Sequence, residues 1–179
     1  MMKYLIPLLS LLLFITTSSF SLMNVEGGGF PATAPDGSNY SLTLGYAGGV
    51  SIDATRLFEG TLLQIRADVS SYNWNEGSNE FSRIPIFLGG RLMFRFSGIP
   101  KWISLYAETG LELSIEKAII DRVQTNSFLI GITPGIGSEF YLLNNLYVSP
   151  NLRYHVIDNT GVTGGGSYFT LGGLFGLRF

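Results

Sequence analysis

Beyond residue 21 the apolar residues of this chain recur at every second position, and few sequence features narrow the choice of fold so sharply. From Arg83 to Phe96 one parity reads Ile84, Ile86, Leu88, Gly90, Leu92, Phe94, Phe96, and the other Arg83, Pro85, Phe87, Gly89, Arg91, Met93, Arg95. Successive strand residues point to opposite faces, so one face is apolar and the other carries three arginines. Leu63, Ile65, Ala67 and Val69 alternate with Gln64, Arg66, Asp68 and Ser70. Ile103 to Leu113 and Phe169 to Phe179 repeat the pattern, and a helical period fits none of these windows. The chain reads as all-β.

No apolar run long enough for a membrane helix follows residue 21. Residues 1–21 read as a secretory signal peptide. Lys3 precedes an apolar stretch from Leu5 to Ile15, and Ser19-Phe20-Ser21 places small residues at the −3 and −1 positions of a cleavage site. Residues 22–179 are then one exported domain. With 11 basic and 13 acidic residues, the net charge of −2 gives no footprint for nucleic acid. The lack of cysteine excludes a disulfide scaffold and a thiolate metal site. With a single histidine, no metal or cofactor is expected either.

Strands are expected near 24–34, 39–50, 60–71, 81–96, 102–115, 126–142, 146–157 and 167–179. The first is weak, because Glu26-Gly27-Gly28-Gly29 is poor strand material. Polar loops are expected at Tyr72–Glu80, Glu116–Thr125 and Asp158–Ser167, against tight turns at Ser97–Lys101 and Leu143–Asn145. Long loops on one rim and short turns on the other predict an eight-stranded antiparallel up-and-down transmembrane β-barrel. Residues 51–59 are longer than that rule wants, and Pro85, Pro134 and Pro150 fall inside strands, where bulges would have to absorb them. Aromatics at strand ends predict two girdles. Tyr40, Tyr72, Phe128, Tyr154 and Phe169 lie toward the loop rim, and Phe94, Phe96, Trp102, Phe140 and Phe179 toward the turn rim.

The terminal stretch Leu171-Gly-Gly-Leu-Phe-Gly-Leu-Arg-Phe179 resembles the C-terminal strand of bacterial outer-membrane β-barrel proteins. Ile132-Thr-Pro-Gly-Ile-Gly-Ser-Glu-Phe-Tyr141, with Asn144-Asn145 and Leu152-Arg-Tyr154, is similar to a hairpin of small barrels of the OmpA/OmpX/OmpW type. The resemblance implies an outer-membrane location among outer-membrane lipid. It also implies recognition of Phe175, Leu177 and Phe179 by the barrel-assembly machinery.

Eight strands enclose a lumen that side chains can fill. The lumen parity carries Arg66, Arg83, Arg91, Arg95, Arg153 and Arg178 against Asp68, Glu108, Glu112 and Glu139. A loop centred near residue 76 would set Asp68 opposite Arg83, and a turn centred near residue 99 would set Arg91 opposite Glu108. The expected outcome is a salt-bridged, closed lumen and a structural or surface-interaction role, with an extracellular ligand, if any, met by the loops. The alternative is a narrow pore biased toward anions by the surplus arginines. An enzyme is not expected. Lipid A deacylases of the outer membrane place a His-x-Ser-Asn group near a strand end, whereas His155 is followed two positions on by Ile157. A soluble, lipocalin-like binder would show the same alternation with its faces reversed.

Overall fold

The computed structural model describes residues 23–34, 42–76, 79–157 and 166–179. The expected signal segment, Tyr40 and most of the Asp158–Ser167 loop lie outside these residues. Nine ladder segments are present: β1 (Met23–Ala32), β2 (Thr43–Phe58), β3 (Thr61–Glu76), β4 (Asn79–Phe94), β5 (Ile103–Ile120), β6 (Val123–Ile132), β7 (Gly135–Tyr141), β8 (Leu146–Ile157) and β9 (Tyr168–Arg178). Each pairs antiparallel with its neighbours, and β1 pairs with both β2 and β9, so the sheet closes on itself. The weak first strand is real. β6 and β7 both lie between β5 and β8 in one unchanged register and are two halves of a single stave. The fold is an eight-stranded antiparallel barrel.

Prolines explain the interruptions, and no bulge is needed at any of them. In an antiparallel sheet a residue's N–H points to only one neighbouring strand. A proline therefore removes a bond on one side only. Pro85 keeps its pairing with Ser114 of β5, while the β3 ladder skips from Val69↔Ile86 to Tyr72↔Arg83. Pro150 pairs with Gly173 of β9, while the β7 ladder skips past it. At Pro134 the stave breaks, yet Thr133 N donates to Gly110 O at 3.0 Å and Tyr154 N to Pro134 O at 2.9 Å. The only register shifts of the β2–β3 ladder fall at Asp53–Thr55 and Arg56–Phe58, away from any proline.

Several expected loops are strand. Residues 51–58 belong to β2, which turns into β3 through Glu59-Gly60, with Gly60 at φ +77°. The expected Tyr72–Glu80 loop is mostly ladder out to Glu76↔Asn79. This moves the hairpin centre up by more than a residue, so Asp68 faces Phe87 and Arg83 faces Tyr72, not each other. The expected Glu116–Thr125 loop is a hairpin turning at Asp121-Arg122, with φ of +49° and +69°. Two successive positive φ values are the signature of a type I′ turn, whose twist matches the strands it joins. Arg91 does face Glu108.

The barrel is sided in the manner of a membrane protein. Its largest fully buried side chains include Arg66, Arg83 and Arg91, while Ile65, Val69, Ile86, Leu88, Leu111, Leu113, Ile130 and Leu171 face outward. An exposed apolar surface of this extent does not belong on a water-soluble monomer, and the soluble-binder reading falls with it. Phe128 and Phe169 are exposed toward the loop rim, and Phe96, Trp102 and Phe179 toward the other. Tyr72 is not a girdle residue. Its even parity turns it into the lumen, where it is buried with Trp74, Phe81 and Tyr168.

Small lumen residues make room for large ones on the neighbouring strand. A Cβ on Gly172 would sit inside the ring of Phe30, whereas one on Gly173, the next residue, would meet nothing within 4 Å. Gly172→Val should therefore lower stability by about 1–3 kcal/mol, the usual penalty of an overpacked core, and Gly173→Val should leave it unchanged. Urea unfolding from lipid vesicles, followed by tryptophan fluorescence, measures both.

Candidate functional site

The lumen holds a closed ring of alternating charge contributed by five strands. Glu26 (β1) accepts from Arg66 (β3) and from Arg91 (β4), the latter at 2.9 Å. Arg91 reaches Glu108 (β5) at 3.1 Å, and Glu108 accepts from Arg153 (β8) at 2.7 Å. Arg153 donates to Asp68 (β3) at 2.8 Å, and Asp68 accepts from Arg66 Nε at 2.8 Å, which completes the circuit. Every one of these side chains is 3% exposed or less. Three guanidiniums and three carboxylates balance, and a narrow low-dielectric lumen tolerates buried charge only when it is paired and hydrogen-bonded. Two aromatic faces support the cations: Arg91 lies 4.0 Å from the Tyr106 ring centroid and Arg153 4.9 Å from that of Phe87.

Toward the terminal rim, a looser set of groups follows. Glu139 accepts from Arg91 at 3.2 Å and from Tyr141 Oη at 2.5 Å. Arg178 pairs with Asp53 and donates to Tyr141 Oη at 3.0 Å, and Arg95 donates to Ser104 Oγ at 2.8 Å. On the other side of the ring, Glu112 accepts from His155 Nδ1, from Thr133 Oγ1 at 2.5 Å and from Ser114 Oγ at 2.7 Å. The His155 ring lies flat on Tyr168, centroids 4.2 Å apart, and its Nε2 lies 3.1 Å from Thr170 Oγ1. Above that, Arg83 binds Glu116 at 2.6 Å between the rings of Phe81 and Tyr168. Tyr72, Trp74, Phe81 and Tyr168 pack ring on ring beside this pair.

Nine of the ten charged residues expected in the lumen line it, whereas Arg95 lies just past the end of β4, exposed at the rim. The structure adds three carboxylates that sequence reasoning missed: Glu26, Asp53 and Glu116. Glu26 was hidden by three following glycines, although it shares lumen parity with Gly28 and Phe30. Asp53 stood in a presumed linker, and Glu116 at the start of a presumed loop. Their addition changes the balance. Among the described residues, five lumen arginines, with Arg95 at the rim, stand against seven carboxylates (Glu26, Asp53, Asp68, Glu108, Glu112, Glu116 and Glu139), so the expected arginine surplus is gone. His155 is a lumen residue as well, with Glu112, His155 and Thr170 in acid–imidazole–hydroxyl order. All three are buried at 2% exposure or less, away from any substrate in solution.

Within the ring, removing one member strands its partners. Arg153→Met should lower stability by about 3–5 kcal/mol, because Glu108 and Asp68 lose a shared cation in a buried site. Arg178→Met, in the half-buried rim pair, should cost well under half as much. Unfolding midpoints of the two variants in vesicles make the comparison.

No family model and no curated protein sequence matches the chain. Solved structures do match in shape. Neisserial surface protein A superposes with a TM-score of 0.63 at 14% identity, over 89% of this chain and 97% of that one. Ail, the attachment invasion locus protein of Yersinia pestis, gives a TM-score of 0.58 at 15% identity over 89% and 99%. The outer membrane enzyme PagL gives 0.54 at 14% identity over 86% and 98%. At such identities the likeness speaks to architecture alone, and this chain has the eight-stranded transmembrane barrel fold of these small outer-membrane proteins.

Proposed function

We propose that the protein is an integral outer-membrane barrel whose lumen is closed and whose role is structural or interactive, carried by the part of its wall that rises beyond the membrane. The observation that carries this reading is the circuit Arg66–Glu26–Arg91–Glu108–Arg153–Asp68, which ties opposite walls together across the lumen. A passage for solutes would have to break several of these buried pairs at once. Export through residues 1–21, insertion among outer-membrane lipids and assembly through the exposed side chains of Phe175, Leu177 and Phe179 belong to the same proposal. Surface interaction is supported by the hairpins β3–β4 and β5–β6, which are strand where loops were expected and so present fixed surfaces. Catalysis has little to recommend it, since the one imidazole faces inward and is held by Glu112 and stacked on Tyr168.

A narrow conduit is the second reading, and one observation favours it. Neither amide atom of Asn151 nor Nη2 of Arg91 has a hydrogen-bond partner among the described residues, so this part of the lumen suits water. The anion preference has lost its basis, as carboxylates outnumber arginines there.

Planar-bilayer conductance of the protein, with folding checked by β-type circular dichroism, separates the two. The closed reading expects a silent wild type and a current in Arg153→Ala, which removes one link of the circuit. Discrete wild-type steps that change with Glu108→Gln would overturn it in favour of the conduit.

A further inference from the structure

The outward face of the extended wall changes character abruptly along its strands. The last apolar row is Ile84, Ile115 and Phe128, in register across β4, β5 and β6 and all exposed. Two residues farther out, the next row reads Asn73, Ser82, Lys117 and Asn126 from β3 to β6, and the row after it Asn75, Glu80, Ile119 and Gln124. A shallow, half-open cavity of about 350 Å³ lies on this face, lined by Asn73, Asn75, Glu80, Phe81, Ser82, Lys117 and Ile119. The side chains of Asn73, Asn75, Glu80, Ser82 and Lys117 make no hydrogen bond or ion pair with any described residue. Immediately behind them the wall is filled by the buried rings of Tyr72, Trp74 and Phe81, so the strands that carry these polar groups are held in place.

We propose that this cavity binds the phosphorylated sugar headgroup of an outer-leaflet glycolipid. The proposal rests on the membrane reading above, because the position of the cavity relative to the apolar belt is what selects the ligand. Strands rise about 3.4 Å per residue and tilt by about 40° in such barrels. The two polar rows therefore lie about 5 and 10 Å beyond the last apolar row. The polar zone of a bilayer leaflet is about 5–7 Å deep. A simple phospholipid headgroup meets only the first row, whereas a headgroup built of sugar rings spans both. The chemistry of each row follows that order. Lys117 stands in the row nearest the hydrocarbon, where the phosphate next to a lipid anchor lies. The amides of Asn73 and Asn75, the Ser82 hydroxyl and the Glu80 carboxylate supply the donors and acceptors that sugar hydroxyls need. A phosphate alone would be repelled by Glu80, and the carboxylate instead favours hydroxyl donors at that height.

Native mass spectrometry of the detergent-extracted protein, with lipids added to the micelles, tests the assignment. The probes are a monophosphorylated acylated glucosamine disaccharide, its dephosphorylated form, phosphatidylglycerol and a soluble hexose phosphate. The phosphorylated glycolipid should be retained best and phosphatidylglycerol least. Lys117→Gln should weaken retention of the phosphorylated glycolipid about tenfold, the loss expected for one charge-assisted hydrogen bond, and leave the dephosphorylated form unchanged. Asn75→Ala should weaken both, and Lys101→Gln, at the opposite rim, neither. Equal retention of phosphatidylglycerol, or indifference to Lys117→Gln, would overturn the proposal. Competition by the soluble hexose phosphate at equal concentration would overturn the lipid assignment. Vesicle insertion of the same preparation is scored separately, so that a barrel failing to insert overturns the membrane reading as well, and one inserting without headgroup preference overturns this proposal alone.

Discussion

A charge buried in a space too narrow for bulk water must meet its opposite there, and the lumen of this barrel is organised around that requirement. Six side chains from five strands alternate in sign around a closed circuit, each guanidinium shared by at least two carboxylates and each carboxylate by at least two guanidiniums. A circuit of this kind has no spare end. It ties β1 to β3 and β4 through Glu26, and β8 to β3 and β5 through Arg153. Many of the contacts that join distant strands of the barrel are therefore polar, with the rings of Tyr72, Trp74 and Tyr168 joining β3 to β9 beside them, and most aliphatic side chains are left free to face lipid. This inversion of the usual globular arrangement follows from the solvent: hydrocarbon rewards apolar surface outside, and the backbone must satisfy its hydrogen bonds within the closed sheet.

Ladder interruptions show how a closed sheet accommodates residues that do not suit it. Each proline inside a strand loses pairing to one neighbour and keeps it to the other, and the register on both sides is preserved. Lumen glycines solve a different problem. Gly172 admits the ring of Phe30 and Gly176 that of Tyr147, whose hydroxyl then donates to Glu26 at 2.6 Å. Glycine on a lumen-facing position is here a complement to an aromatic from the neighbouring wall, and through Tyr147 it reaches the ion circuit itself.

Above the apolar belt the wall continues as sheet, and this shapes what the protein can present outside the membrane. A hairpin that ends in a two-residue turn at Asp121-Arg122 holds its outward polar side chains in rows, with the stacked aromatics of the lumen behind them. Rows at fixed heights suit recognition of adjacent lipid headgroups better than irregular polar loops would. The closed lumen and the outward cavity are consistent with each other, since a filled interior stiffens the wall on which the cavity sits.

Alternation alone reveals most of the strands and which residues share a face, because side-chain direction in a strand is a local property with period two. Arg91 opposite Glu108 is legible for the same reason, as a short turn fixes its hairpin register. Asp68 opposite Arg83 fails because polar outward residues such as Asn73 and Asn75 look like loop, when they are strand continuing past the last apolar row. Glu26 is missed because Gly27–Gly29 weaken every local signal, and its strand exists only through pairing with β2 and β9. By itself, then, the sequence determined the strand pattern, which residues share a face and most of the charged inventory, all set by neighbours a few residues apart; which face looks outward was decided by the closed barrel. Which charge meets which, and that the circuit closes on itself with Glu26 in it, was decided only by the tertiary structure. Those partners are as many as 85 residues apart in the chain and come together only when the first strand meets the last.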